Sequence, residues 1–72
     1  MIYSNLAVLL AEKKLKVIDL VRITGLSKTT LYKLYNGESI RIDFETLEKI
    51  CKTLNVNVGD VLQYRPDDID EG

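Results

Sequence analysis

The sequence predicts a small all-α domain of five helices, and three observations support this fold class. Seventy-two residues are enough for one domain only. Apolar residues recur at helical spacing in successive segments, and residues that begin or end helices, such as Gly25, Asp43 and Asn55, stand between these segments. The hydrophobic fraction of 46% and the charged fraction of 29% are those of an ordinary globular chain. We therefore expect one compact core built from short helices.

The first two helices supply part of this core. Ser4 is expected to cap the first helix, whose inward side holds Leu6, Leu9 and Leu10. Leu15 precedes a second helix that starts at Lys16, and it is placed to pack on Leu20 as a hydrophobic staple. A lysine offers no oxygen to the first helical amides, so this start has a weak cap.

A sharp reversal and a third helix follow. Gly25 can adopt a left-handed conformation without steric cost, and this favours a tight turn between two helices. Ser27 is placed to accept a hydrogen bond from the amide of Thr29 or Thr30, so the third helix should begin at Lys28. The inward residues of this helix are predicted to be Leu31, Leu34 and Tyr35.

The outward face of the third helix is continuous and polar. Its residues offer two amines, a hydroxyl, a phenol and an amide: Lys28, Thr29, Tyr32, Lys33 and Asn36. Such groups hydrogen-bond base edges and phosphate oxygens in a DNA major groove, which is wide enough for an α-helix. The alternative is an ordinary solvated surface, since lysine and threonine face water on most helices.

The rest of the chain contains two further helices. Asp43 is expected to cap a fourth helix that Asn55 closes, with these residues inward: Phe44, Leu47, Ile50, Cys51 and Leu54. Asn57 and Asp60 resemble a capping box that opens a fifth helix running through Val58, Val61, Leu62 and Tyr64, and Pro66 ends regular structure. Residues 1–3 favour a short strand, which is placed to pair with residues 39–42.

Residues 20–37, LVRITGLSKTTLYKLYNG, resemble the helix-turn-helix of the Cro and phage-repressor-like (XRE-type) family. The marker positions are Leu20, Gly25, Leu31, Leu34, Asn36 and Gly37, and the likeness extends over residues 6–64. The resemblance implies a compact five-helix, lambda-repressor-like domain, with helices 2 and 3 as the motif. It also implies a sequence-specific transcriptional regulator of a bacterium, phage or mobile element, most simply a repressor, that binds double-stranded DNA.

The resemblance also assigns roles to individual residues. Helix 3 would read bases through Lys28, Thr29, Tyr32 and Lys33, and the DNA backbone would be held by Val17, Ser27, Asn36 and Arg41. Val17 stands where a family side chain often touches phosphate, but it can offer only its backbone amide. The alternative for Val17, Ile18 and Ile23 is that they enlarge the core, and for Arg41 that it pairs with Glu38 or Asp43.

The charge is divided unevenly along the chain, whose formal net charge is −1. Residues 1–65 hold all ten lysines and arginines against seven acids, which gives +3, and residues 66–72 hold the other four acids. We expect residues 1–65 to form the DNA-binding domain and residues 66–72 to form an acidic, disordered tail. The tail either folds back transiently on Lys28 and Lys33 or serves only as a solubilising appendage.

Several function classes are disfavoured by composition. The chain has no histidine, a single cysteine, and neither a glycine-rich phosphate loop nor a metal-ligand spacing, so we expect neither an enzyme nor a cofactor. No effector site for a small molecule is evident. The apolar run at residues 6–11 is too short to span a membrane and lacks a preceding basic region, so the prediction is a cytoplasmic protein.

A rival hypothesis is a protein-interaction module, such as an antitoxin-like partner of another protein. In that case Val17, Ile18 and Ile23, or the carboxy-terminal helix, would bind the partner. The DNA-binding hypothesis also predicts a homodimer, because one helix reads only a few base pairs. Its contact surface would come from Ile2 and Tyr3, or from Val58, Leu62 and Tyr64.

Overall fold

The computed structural model describes residues 1–38 and 41–66. It contains, in chain order, β1 (Ile2–Ser4), α1 (Leu6–Glu12), α2 (Val17–Thr24), α3 (Lys28–Tyr35), α4 (Phe44–Leu54), α5 (Val58–Val61) and β2 (Leu62–Tyr64). The predicted five helices are therefore confirmed, and a two-stranded antiparallel sheet accompanies them. The predicted acidic tail, apart from Pro66, lies outside the described residues.

One aliphatic cluster holds the helices together, and every helix contributes to it. Its members are at most 8% exposed: Leu6, Leu9, Leu10, Val17, Leu20, Leu31, Leu34, Leu47, Ile50, Leu54 and Val61. No polar or charged side chain of the described residues is buried among them. Burying such a side chain contributes about 1.5–3 kcal/mol, so this cluster accounts for most of the driving force for folding. It fixes the positions of α2 and α3 against the rest of the domain.

The sheet differs from the sequence prediction. β1 pairs with β2, with Ile2 opposite Tyr64 and Ser4 opposite Leu62, whereas the predicted partner of residues 1–3 was residues 39–42. Ser39 and Ile40 lie outside the described residues, and Arg41 and Ile42 are not in a strand. The Asn5 amide donates to the Val61 carbonyl at 2.7 Å, which places β1 beside the end of α5.

The fifth helix is also shorter than predicted. It ends at Val61, and Leu62 has the extended angles φ −124° and ψ 139°. The Asp60 carboxylate accepts from the Asn57 amide at 2.9 Å, so the start of the helix is as predicted. A single helical turn makes too few hydrogen bonds to propagate by itself, whereas the following residues gain ladder bonds from β1. Long-range pairing therefore decides the structure of residues 62–64.

Two residues were predicted to face the core because they fit an apolar stripe, and both predictions are wrong. The side chain of Phe44 is 90% exposed, and that of Tyr35 is 40% exposed. Phe44 is the first residue of α4, where a side chain extends beyond the core instead of facing it. A buried tyrosine hydroxyl needs a hydrogen-bond partner, and the aliphatic core around α3 contains no buried polar side chain among the described residues. Both rings therefore face solvent.

Cys51 is half-buried on α4. Burial, with a smaller contribution from the nearby Asp60 carboxylate, raises the pKa of the thiol. The thiol is therefore protonated at neutral pH, and it packs as a small apolar group against the core.

The start of α4 makes the stability of the domain depend on pH. An oxygen of Asp43 accepts a hydrogen bond from the Thr46 amide at 2.9 Å. Hydrogen bonds from Thr46 hold the pKa of Asp43 below its ordinary value of 3.8. Because the folded pKa is lowered, this contribution to stability is complete well above pH 4 and is lost as the pH falls through the folded pKa.

Asp43→Asn should therefore reduce the acid sensitivity of folding. Asparagine keeps an oxygen for the Thr46 amide but does not titrate, so the variant should lose less free energy of unfolding than the wild type between pH 7 and pH 3. Urea denaturation at both pH values measures the difference. Equal losses in the two proteins would show that the Asp43 cap does not contribute to acid unfolding.

None of the helices within residues 1–38 and 41–66 has the length and apolar character required to cross a membrane.

Candidate nucleic-acid interface

The turn between α2 and α3 is fixed by local hydrogen bonds. Gly25 has φ 71°, the left-handed conformation predicted for it, and its amide donates to the Val21 carbonyl at 2.9 Å. The Thr24 hydroxyl donates to the Leu20 carbonyl at 2.7 Å and accepts from the Leu26 amide at 3.2 Å. Backbone groups that the end of α2 leaves without helical partners are thus satisfied inside the turn. The turn sets α3 at a defined angle to α2.

The second helix also has a firmer start than its sequence suggested. The Asp19 carboxylate accepts a hydrogen bond from the Lys16 amide at 2.9 Å and so satisfies the amide of the residue before the helix, although the side chain of Lys16 does not cap the first helical amides. The helix itself begins at Val17, one residue after the predicted start. Leu20 lies fully buried one turn later, and Leu15 packs against the same core.

The third helix begins at Lys28, as predicted. The Ser27 hydroxyl oxygen accepts from the Thr30 amide at 3.3 Å and so caps the helix. The hydroxyl proton of Ser27 can still be donated outward, because a serine hydroxyl is both an acceptor and a donor. The exit uses Gly37 alone, since Gly37 has φ 77° while Asn36 remains right-handed at φ −79°.

The two faces of α3 differ sharply in exposure. Leu31 is 0% exposed and Leu34 is 3% exposed, so they attach the helix to the core. The outward face is exposed along its whole length, and it contains the residues predicted for it: Lys28, Thr29, Tyr32, Lys33 and Asn36. The structure therefore presents, on one side of a well-anchored helix, a row of hydrogen-bonding groups that is about two turns long.

Two further residues of α3 flank the outward face, and the sequence did not place them there. Tyr35 is exposed and follows Lys28 by seven residues, so it lies on the flank of the outward face. Thr30 is half-buried on the opposite flank and lines a shallow groove with Arg41. The phenol of Tyr35 was the available signal, because a tyrosine in an aliphatic stripe lacks a partner for its hydroxyl. No sequence signal distinguished Thr30.

The Nζ atom of Lys28 lies 5.9 Å from the centre of the Tyr32 ring. This spacing of four residues permits a weak cation–π contact at the surface of α3. The amine and the ring therefore lie side by side above the first two turns of the helix.

Arg41 is exposed in the segment that leads into α4. Within residues 1–38 and 41–66, the ion pairs are Arg22 with Asp19 and Lys49 with Glu45, both at 3.8 Å. Neither Glu38 nor Asp43 therefore pairs with Arg41, and the lysines of α3 are likewise without an acidic partner in this part of the chain. The three cations remain available for an anionic ligand.

The three apolar residues singled out on α2 divide into two groups. Val17 is 5% exposed and belongs to the core, which bears out the core interpretation for its side chain. Its amide remains the first of the helix, where no helical acceptor is available to it. Ile18 is 38% exposed and Ile23 is 62% exposed, so these two side chains do not enlarge the core.

No metal site accompanies this surface, since the described residues contain no group of three or more candidate ligands. The surface offers amines, hydroxyls and amides, which are groups that hydrogen-bond to a ligand.

Comparisons with known proteins agree with this geometry. The model of the Cro/C1-type HTH DNA-binding domain matches residues 5–67, which is most of the chain. The HTH-type transcriptional regulator YozG of Bacillus subtilis (strain 168), itself uncharacterized, is 40% identical over 67 residues, which are 93% of this chain and 80% of YozG.

A solved structure gives a third comparison. The crystal structure of a candidate DNA-binding protein from Bacteroides fragilis has a TM-score of 0.75 and 25% sequence identity, and the match covers 88% of this chain and all of that one. The matched family is one of DNA-binding domains and not of enzymes, as the composition indicated. The chain belongs to the family of Cro/C1-type helix-turn-helix DNA-binding domains.

Proposed function

We propose that this protein is a sequence-specific transcriptional regulator, acting as a repressor in the cytoplasm of a bacterium or on behalf of a phage or mobile element. It binds double-stranded DNA as a homodimer and places α3 in the major groove. The observation that supports this most strongly is the exposed outward face of α3, whose polar groups stand on a helix attached to the core by Leu31 and Leu34. A repressor of this size acts by occupying its operator.

The base-reading residues are Lys28, Thr29, Tyr32 and Lys33. The first turn of a recognition helix points deepest into the groove, which places Lys28 and Thr29 closest to the bases. Lys33 follows one turn later, where its amine can donate to guanine O6 and N7. Tyr32 offers its ring to a thymine methyl or its hydroxyl to a phosphate.

The DNA backbone is held by groups around the base-reading residues. Ser27 and Asn36 stand at the two ends of α3, and Arg41 stands beyond them in the approach to α4. Val17 contributes its backbone amide at the start of α2, where the helix dipole favours a phosphate. These contacts position the protein without reading sequence.

Selection of bound duplexes from a random-sequence pool tests this function. The purified protein is mixed with the pool, bound DNA is recovered by gel shift, and the selected sequences are read. We expect an enriched motif with two related half-sites whose centres are about one DNA turn apart. A pool that remains random after several rounds would contradict sequence-specific binding.

A protein-interaction role is the second candidate function. Ile23 is 62% exposed near the end of α2, and Ile18 is exposed on the same helix. Such residues can bind another protein, although single apolar side chains on a surface are common. Failure of the DNA selection, together with loss of a partner protein in the Ile23→Ser variant, would favour this second role.

The four acids within residues 67–72 are expected to weaken non-specific DNA binding. A chain shortened to residues 1–65 has a net charge of +3 instead of −1, so it should bind unrelated duplexes more tightly at low salt. The difference should disappear at high salt because the charges are screened. Anisotropy titrations of both chains at low and high salt measure the effect, and equal affinities at low salt would leave the acids with a solubilising role only.

A further inference from the structure

We propose that a second copy of this chain docks on α4, with Phe44 of each copy inserted into an apolar groove of the other. This interface rests on the proposed function, since it would join the two protomers of the proposed homodimer. Phe44 forms one wall of this groove, and the rest of the lining is mostly apolar: Leu47, Glu48, Cys51, Val56, Asn57 and Val58. The same patch of surface therefore carries both a protruding ring and a groove that can receive one.

Phe44 is the most exposed large apolar side chain of the described residues, at 90%. Val58, at 50%, is exposed on the other side of the groove, while Leu47 forms its buried floor. The Val56 amide donates to the Cys51 carbonyl at 3.0 Å, which holds Val56 against the last turn of α4. The groove thus runs along α4, from Phe44 at the amino end of the helix to Val56 and Val58 beyond its carboxyl end.

A two-fold axis brings these features into register. An interface between identical copies uses the same patch twice, so each contact from one residue to another occurs in both directions. If two α4 helices lie antiparallel across an axis level with Ile50, the amino end of each α4, where Phe44 stands, lies beside the carboxyl end of the partner's α4, where Val56 and Val58 line the groove. The rings then occupy both grooves.

The same register pairs opposite charges. Glu48 and Lys52 are each two positions from Ile50, so Glu48 faces the partner's Lys52 twice in the dimer. Both are exposed, and neither forms an ion pair within the described part of the chain, whereas the neighbouring Glu45 is already paired with Lys49. Complementary charges around an apolar contact fix the register and disfavour other partners.

The position of this surface agrees with the DNA-binding face. Phe44 follows Arg41 by three residues, so one end of the proposed interface lies beside the segment proposed to hold the DNA backbone. Two inserted rings bury about 300–500 Å², which is less than half of a standard interface of about 1,600 Å². The dimer should therefore be weak in free solution and should form cooperatively on DNA.

Sedimentation velocity over a range of protein concentrations tests the interface. Phe44→Ala should raise the dimer dissociation constant at least tenfold, while Tyr64→Ala, which removes a ring 68% exposed on the sheet, should leave it unchanged. Phe44 lies outside the core, so the melting temperature of the Phe44→Ala variant should equal that of the wild type. This measurement verifies that the variant is folded. Loss of the dimer in Tyr64→Ala but not in Phe44→Ala would overturn the proposal.

Charge reversal tests the register. Glu48→Lys and Lys52→Glu should each weaken the dimer several-fold, and the double variant should recover the wild-type constant. A double variant whose dimer is as weak as the dimers of the single variants would overturn the antiparallel arrangement.

The dimer interface and the recognition of DNA can be tested independently of each other. A protein that binds its selected motif specifically, but as one protomer per site and as a monomer in solution, would overturn the interface and leave DNA recognition intact. A dimer that dissociates in Phe44→Ala would support the interface even if no DNA motif were selected.

Discussion

The triple variant Lys28→Ala, Lys33→Ala and Arg41→Ala is expected to lose specific DNA binding at physiological salt. Each lysine that reads a base contributes about 1–3 kcal/mol, and each cation that neutralises a phosphate changes the salt slope by about one. All three side chains are exposed, and none has an ion-pair partner in the described ranges, so the variant should fold as the wild type does. Anisotropy titrations of the selected duplex at several salt concentrations measure both effects.

A matched control carries the same change in charge elsewhere. Lys13→Ala, Lys14→Asn and Lys49→Ala remove three exposed cations at the end of α1 and on α4. Asparagine is used at position 14 because Lys14 has φ 57°, a left-handed conformation that asparagine tolerates. This control should bind within a few-fold of the wild type. Equal losses in the two triple variants would show that only overall charge matters.

The single variants separate base contacts from phosphate contacts. Lys28→Ala and Lys33→Ala should each relax the preference at one base pair of the selected motif, because the lost donor read that base. Arg41→Ala should weaken binding to all sequences equally. If all three variants lost affinity equally for every DNA sequence, α3 would contact phosphates and would not read bases.

The buried side chain of Leu31 is expected to contribute strongly to the stability of the domain. Leu31→Ala should lower the free energy of unfolding by about 2–5 kcal/mol, since Leu31 is 0% exposed and its removal leaves a cavity between α3 and the core. For a domain of this size the expected fall in melting temperature is about 8 °C or more. Thermal and urea denaturation followed by circular dichroism measure the change.

The control for this variant is Ile23→Ala, which removes an apolar side chain that is 62% exposed. Its free energy of unfolding should remain within about 0.5 kcal/mol of the wild type. Similar stabilities of the Leu31 and Ile23 variants would contradict the placement of Leu31 in the core. A destabilised Leu31→Ala protein should also bind DNA less well, because α3 is held in place by this side chain.

Local interactions explain why much of the fold could be predicted from the sequence. Ser27 and Asp43 cap their helices through amides three residues away, and Gly25 and Asn55 adopt left-handed conformations at helix ends. Each of these features depends on a few neighbouring residues, so a single sequence contains the necessary information. The spacing of the buried leucines is equally local.

The features that the sequence did not predict depend on distant or missing partners. β1 and β2 are about sixty positions apart, and nothing in either segment specifies the other. Phe44 and Tyr35 both stand at positions that fit an apolar helical stripe. The burial of Phe44 depends on where that stripe ends, and the burial of Tyr35 depends on a hydrogen-bond partner for its hydroxyl. The roles of Lys28 and Lys33 remain predictions, because DNA supplies the other half of each contact.

We expect the outward face of α3 to be the surface that contacts DNA. The amide chemical shifts of the isotope-labelled protein, measured by NMR as the selected duplex is added, identify the residues at the interface. The largest changes should fall on residues 27–36 and on Arg41, with smaller changes when an unrelated duplex is added. Changes confined to α1 and the sheet, with α3 unaffected at saturation, would contradict it.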